Sequence, residues 1–170
     1  MMDAGKLTRR TVMAAALWAT VALPALAEKK YTGPRPSKQD VPFLLHAGKL
    51  IELESSMASE SQGKDGTVYT VSGATTQART PVPEPIMLFL SNKINPDRMA
   101  LYKMEARGGN RVLTIAPPSK RKKDKDRPIF LMVTPLSPGL FKVEVNEVID
   151  PGEYCLSPEG SNQVFCFTTY

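Results

Sequence analysis

The sequence has one histidine, His46, one tryptophan, Trp18, and two cysteines, Cys155 and Cys166. A zinc site usually draws several ligands from His and Cys, so a single histidine makes a poor start for one. A nucleophilic triad would have to use His46 without any G-x-S-x-G elbow in residues 28–170. Ten residues separate the cysteines, so they do not form a Cys-x-x-Cys redox motif. No repeat at a fixed period is visible. No apolar run reaches the roughly 20 residues that a membrane-spanning helix needs. Charge of one sign is also scarce. Residues 28–170 hold 19 basic and 16 acidic side chains, a net +3, far from the strong basicity of a chain built throughout for nucleic acid.

The N-terminus is rich in signals by comparison. Lys6 and Arg9-Arg10 precede the apolar residues 12–23, followed by Pro24 and the small-x-small sequence Ala25-Leu26-Ala27. This is the layout of an export signal, with cleavage expected after Ala27. The pair Arg9-Arg10 also fits a twin-arginine signal in part, although Ala14 stands where a basic residue is common; a general secretory route suits the same residues. No cysteine at the cleavage site supports a lipid anchor. Two cysteines in an exported chain favour one disulfide, Cys155 to Cys166, over free thiols. A periplasmic or secreted protein is expected.

Residues 28–40 combine charge with Pro34 and Pro36 and predict an extended leader, with little order before Val41. Residues 41–170 predict one domain. Phe43-Leu44-Leu45 and Leu50-Ile51-Glu52-Leu53 read as strands joined at Ala47-Gly48, against a competing helical spacing of Leu44, Ala47 and Ile51. Residues 55–66 are polar and predict a surface loop, and residues 67–71 alternate like a half-buried strand. Pro81, Pro83 and Pro85 cannot donate ladder hydrogen bonds, so residues 73–85 must cross between sheets or cover an edge. Residues 86–90 are continuously apolar, as in a central strand.

Gly108-Gly109 predicts a two-residue hairpin turn that pairs Tyr102 with Ile115 and Met104 with Leu113 on one face. Strands are also expected at 128–134, 140–145, 153–157 and 164–168. In the last hairpin, facing Cys155 with Cys166 also places Tyr154 opposite Phe167 and Leu156 opposite Phe165 on the other face. The disulfide and the aromatic packing therefore demand the same register. Nine or ten short strands without a long helix predict an all-β, antiparallel β-sandwich.

Candidate functional residues are few. His46 is read as a turn or edge residue. Glu52 and Glu54, on one strand face roughly 7 Å apart, have the spacing of a glycosidase pair or a calcium site. A solvated face alternating with Ile51 and Leu53 is the plainer reading, since no aromatic sugar platform lies nearby. Lys120, Arg121, Lys122, Lys123, Lys125 and Arg127 are candidate anion-binding residues, for lipid headgroups, envelope polysaccharide or nucleic acid. Nucleic acid is the least favoured because no aromatics interleave the run. A solvated loop that keeps strand edges soluble is the alternative.

The segment Asp150-Pro151-Gly152-Glu153-Tyr154-Cys155-Leu156 resembles the proline-glycine-x-tyrosine turn into a late strand of bacterial immunoglobulin-like and transthyretin-like sandwich modules. The likeness implies an immunoglobulin-like fold class and carries no catalytic residues. The inter-sheet cysteine pair and intervening tryptophan of antibody domains are missing, since Trp18 lies in the export signal. The expectation is an exported, non-enzymatic module without a cofactor that binds a protein or polymer at the cell envelope. The alternatives are an exported hydrolase or lyase using carboxylates, and a polyanion-binding protein acting through residues 120–127.

Overall fold

A computed structural model describes residues 31–81, 83–117 and 127–170. The export signal and Lys120, Arg121, Lys122, Lys123 and Lys125 lie outside the described residues. The strands are β1 (Pro42–His46), β2 (Lys49–Glu52), β3 (Glu54–Met57), β4 (Ser59–Gly63), β5 (Gly66–Ser72), β6 (Arg79–Thr80), β7 (Ile86–Leu90), β8 (Met99–Arg107), β9 (Asn110–Ile115), β10 (Leu131–Ser137), β11 (Leu140–Val145), β12 (Gly152–Pro158) and β13 (Gln163–Thr169). No α-helix occurs among the described residues, and none there is long and apolar enough to cross a membrane.

One sheet has the order β10-β11-β7-β1-β2, and the other runs β3-β13-β12-β8-β9-β5-β4, with β6 beside β13. Every pairing is antiparallel except β6 with β13. The protein is thus an all-β, antiparallel β-sandwich. The register sets Val133, Val143, Met87, Leu44 and Ile51 in one row across the first sheet. Leu101, Leu156 and Phe165 form a row across the second. These rows belong to the main core together with Phe89, Tyr154 and Phe167. Each large apolar side chain fully buried there contributes about 1.5–3 kcal/mol.

The terminal hairpin has the register that the cysteines and aromatics demand: Cys155 faces Cys166, Tyr154 faces Phe167 and Leu156 faces Phe165. The disulfide is formed. Tyr154 stacks on Phe167 with ring centroids 5.7 Å apart and donates its hydroxyl to the Asp150 carbonyl at 2.7 Å. Burial, helped by the nearby Asp150 charge, pushes the Tyr154 phenol up to about 12, so it remains a donor at any physiological pH. The β1–β2 hairpin turns at Ala47-Gly48 as expected, with His46 beside the turn and facing Lys49.

Three expectations about the strands need correction. Residues 55–66 are not a loop, because β3 and β4 occupy most of the stretch. Their side chains are largely exposed, and pairing with β13 and β5 overrides a polar sequence with no apolar alternation. Glu52 and Glu54 do not share a strand face, since the chain changes sheets at buried Leu53. The late strand predicted at 128–134 begins only at Leu131. Before it, Ile129 makes an isolated bridge to Leu101, and Phe130 is exposed. The proline-rich connection does both things expected of it: it passes from β5 in one sheet to β7 in the other, and its β6 covers the end of β13.

Residues 31–40 form no strand, but they are fastened to the domain, contrary to the expectation of little order before Val41. Asp40 lies at φ 58°, a conformation that Asp tolerates better than most residues. Its N–H donates to the Leu90 carbonyl at 2.8 Å, and its carboxylate accepts the backbone N–H groups of Asn92, Lys93 and Ile94 at 2.8–3.1 Å. Burial raises the Asp40 carboxyl, but the three donors and the Lys93 charge outweigh it and hold the pKa below the ordinary 3.8. A depressed native value means that this stabilisation is complete well above pH 3.8 and is lost as pH falls through the native value. Asp40→Asn keeps the turn conformation and loses the charge. It should cost about 1–2 kcal/mol near neutral pH, and the cost should vanish in acid; urea unfolding at two pH values checks both.

Candidate functional site

The larger sheet closes on itself. Its two ends, β3 and β4, are consecutive in the chain and separated by Ala58 alone, whose N–H donates to the Asn162 carbonyl at 2.8 Å. One bent strand therefore pairs with β13 through its first half and with β5 through its second. The ring β3/β4, β13, β12, β8, β9 and β5 forms a roll. One wall of the roll is the inner sheet of the sandwich.

Strand alternation sorts the residues of these walls. On β12 and β13, Tyr154, Leu156, Phe165 and Phe167 face the sandwich core, so Cys155, Cys166 and Val164 face into the roll. There they pack with Ala58, Val71, Met104 and Leu113 as a second, smaller core. The disulfide sits at the centre of this cluster.

One end of the roll is plugged by charge. Arg111, in register with Val71, points inward and is completely buried. Its guanidinium donates to the Gly73 carbonyl at 2.9 Å, to the Ser72 carbonyl at 2.7 Å and to the Glu54 carboxylate. On the same interior face, Glu153 accepts hydroxyl hydrogens from Thr75 and Thr168, each at 2.8 Å. The loop after β5 thus ties both groups and shuts this end.

The other end is open. The β8–β9 hairpin has the predicted turn at Gly108-Gly109, both with positive φ, a conformation that glycine adopts without penalty. Its ladder, however, covers only Glu105–Arg107 against Asn110–Val112. Beyond these pairs the strands diverge, β8 following β12 and β9 following β5. Tyr102, Met104, Leu113 and Ile115 do share a face, as predicted, yet they line a cavity of about 510 Å³ instead of touching as cross-strand pairs. Ile129 occupies the edge of β8 that β9 vacates, its N–H donating to the Leu101 carbonyl at 2.8 Å.

The cavity floor is Val71, Met104, Leu113 and Val164 above the disulfide; Tyr69, Tyr102 and Ile115 form the sides. The rim carries Glu60, Arg98, Glu159 and Asn162. Arg98 is ion-paired with Glu159, whose N–H also donates to the Arg98 carbonyl at 2.9 Å. An apolar chamber of this size with a few polar groups at its edge can enclose a small ligand or one side group of a larger one.

Among the described residues, those singled out from sequence as functional lie elsewhere. Glu52 accepts from Lys38 on the first sheet, and Glu54 belongs to the plug. Arg127 makes a two-point contact with Glu147 at 3.0 and 2.6 Å and faces a neighbouring hollow of about 410 Å³. The Arg127 hydrogen bonds and the Phe130 N–H hold the Glu147 carboxyl below its usual range against a small opposing effect of burial. Of the cavity residues, Glu60, Tyr69 and Arg98 gave no signal as functional residues. Among the described residues no cluster of His, Cys, Asp and Glu is arranged to hold a metal. No protein-family model, curated protein or solved structure matches this chain.

Proposed function

We propose that the protein is an exported, non-enzymatic binding domain of the cell envelope, released after Ala27, which holds a group of a protein or polymer ligand in the open mouth of the roll. The observation that carries this reading is the chamber itself: about 510 Å³, floored by apolar side chains and flanked by two tyrosines. A folded β-sandwich normally fills such space with side chains, because close packing is worth several kcal/mol per large residue. Here the strands diverge and leave it open.

Export fits the residues of the N-terminus and a disulfide, which persists in oxidising compartments. The immunoglobulin-like affinity of the sandwich fits the Tyr154 hydroxyl, which reaches back four residues to the Asp150 carbonyl as the tyrosine corner of such domains does.

Ala100 lies on β8 opposite Ser157 and lines the chamber. Ala100→Trp fills the mouth from a wall that already faces open space, so its stability cost should stay within about 1–3 kcal/mol. Wild type immobilised on resin should retain a defined component of an envelope extract, and the tryptophan variant, folded by circular dichroism, should release it. Equal retention by both proteins refutes the mouth as the binding site.

A further inference from the structure

We infer that the chamber takes an apolar group that carries a cationic nitrogen. This rests on the reading above that the mouth is the binding site, and it adds the chemistry of the occupant. Three features converge on it. The buried part of the lining is apolar, from Val71, Met104, Val164 and the bridged Cys155 with half-buried Leu113 beside them, which suits a hydrocarbon body. The sides hold Tyr69 and Tyr102, whose ring faces attract cations. The rim has three charged side chains, Glu60, Arg98 and Glu159, of which Arg98 and Glu159 neutralise each other.

Glu60 is therefore the uncompensated charge. It is exposed on β4, directly opposite Tyr69, which is in turn opposite Leu113. That row runs from the carboxylate through an aromatic ring to the apolar wall, the order in which an ammonium-bearing hydrocarbon would be received. No ion pair involves Glu60 among the described residues. An anionic ligand would meet Glu60 head-on and would have to displace Glu159 from Arg98. A cation meets neither obstacle.

The test uses three probes with the same chain, n-octylammonium, n-octanoate and 1-octanol, titrated into the protein with NMR shifts at Tyr69, Leu113 and Ile115 as the readout. Octylammonium should bind about fivefold more tightly than octanol, the scale of one exposed ion pair, and octanoate more weakly than either. Glu60→Gln should remove the ammonium advantage and leave octanol unchanged, and added salt should narrow the gap. Equal affinity for the three probes overturns the cationic assignment while leaving the chamber as a binding site. Failure of all three to shift those residues overturns both.

Discussion

Arg111→Leu should destabilise the protein by about 3 kcal/mol, at the low end of the range for breaking a buried ion pair. The guanidinium is fully buried, while the Glu54 side chain keeps 35% of its exposure, so the carboxylate left behind retains part of its hydration. The loss also removes the hydrogen bonds that the Ser72 and Gly73 carbonyls accept from Arg111 at 2.7 and 2.9 Å; both residues are exposed, so water can take over there and the cost comes mainly from the ion pair. The expected signature in urea is a lower midpoint with an unchanged slope, since the folded surface stays the same. The double variant Arg111→Leu with Glu54→Leu should recover part of the loss, because no buried charge then stands alone. A single variant that costs under about 0.5 kcal/mol, the scale of an ordinary surface change, would show that Arg111 does not hold the end of the roll closed.

Arg111 also shows where sequence reading stops. The hairpin register was legible because Gly108-Gly109 fixes it and the apolar residues segregate cleanly onto one face. In that register Arg111 has the same parity as Leu113 and Ile115, so a cation at a core position was visible in principle. What was not visible is its partner, because Glu54 lies 57 residues away, at the head of a strand whose other residues read as polar loop. The terminal hairpin was legible for the opposite reason, since all its constraints are local: two cysteines and four large apolar residues within fourteen positions.

The closure of the larger sheet was hidden because β3 and β4 have almost no apolar alternation. Their strand character comes from hydrogen bonds to β13 and β5, pairings that no local pattern encodes. The cavity follows from that closure. Its residues come from β4, β5, β8, β9, β12 and β13, from the 3-10 turn before β8 and from the loop between β12 and β13, and Glu60 and Tyr69 become neighbours only through the β4–β5 register. The basic run at 120–127 was the loudest local signal, yet Arg127, the member that can be placed, is engaged with Glu147.

The second large effect concerns the floor of the chamber. Replacing both Cys155 and Cys166 with serine should cost about 3 kcal/mol, the loop-closure contribution of a bridge between residues eleven positions apart. For a domain of this size that corresponds to a fall in Tm of about 10 °C. The bridge lies in the small core with Val71, Met104 and Val164, so the two hydroxyls would enter an apolar environment and add a desolvation cost. Alanine at both positions separates the contributions: it removes the cross-link without adding polar groups, and should be the milder of the two pairs. The main core lies on the other face of β12 and β13, so near-ultraviolet signals from Tyr154 and Phe167 should survive the change while probe binding in the chamber weakens. Loss of both together would mean that the two cores fold as one cooperative unit, and that the disulfide supports the whole sandwich through the wall they share.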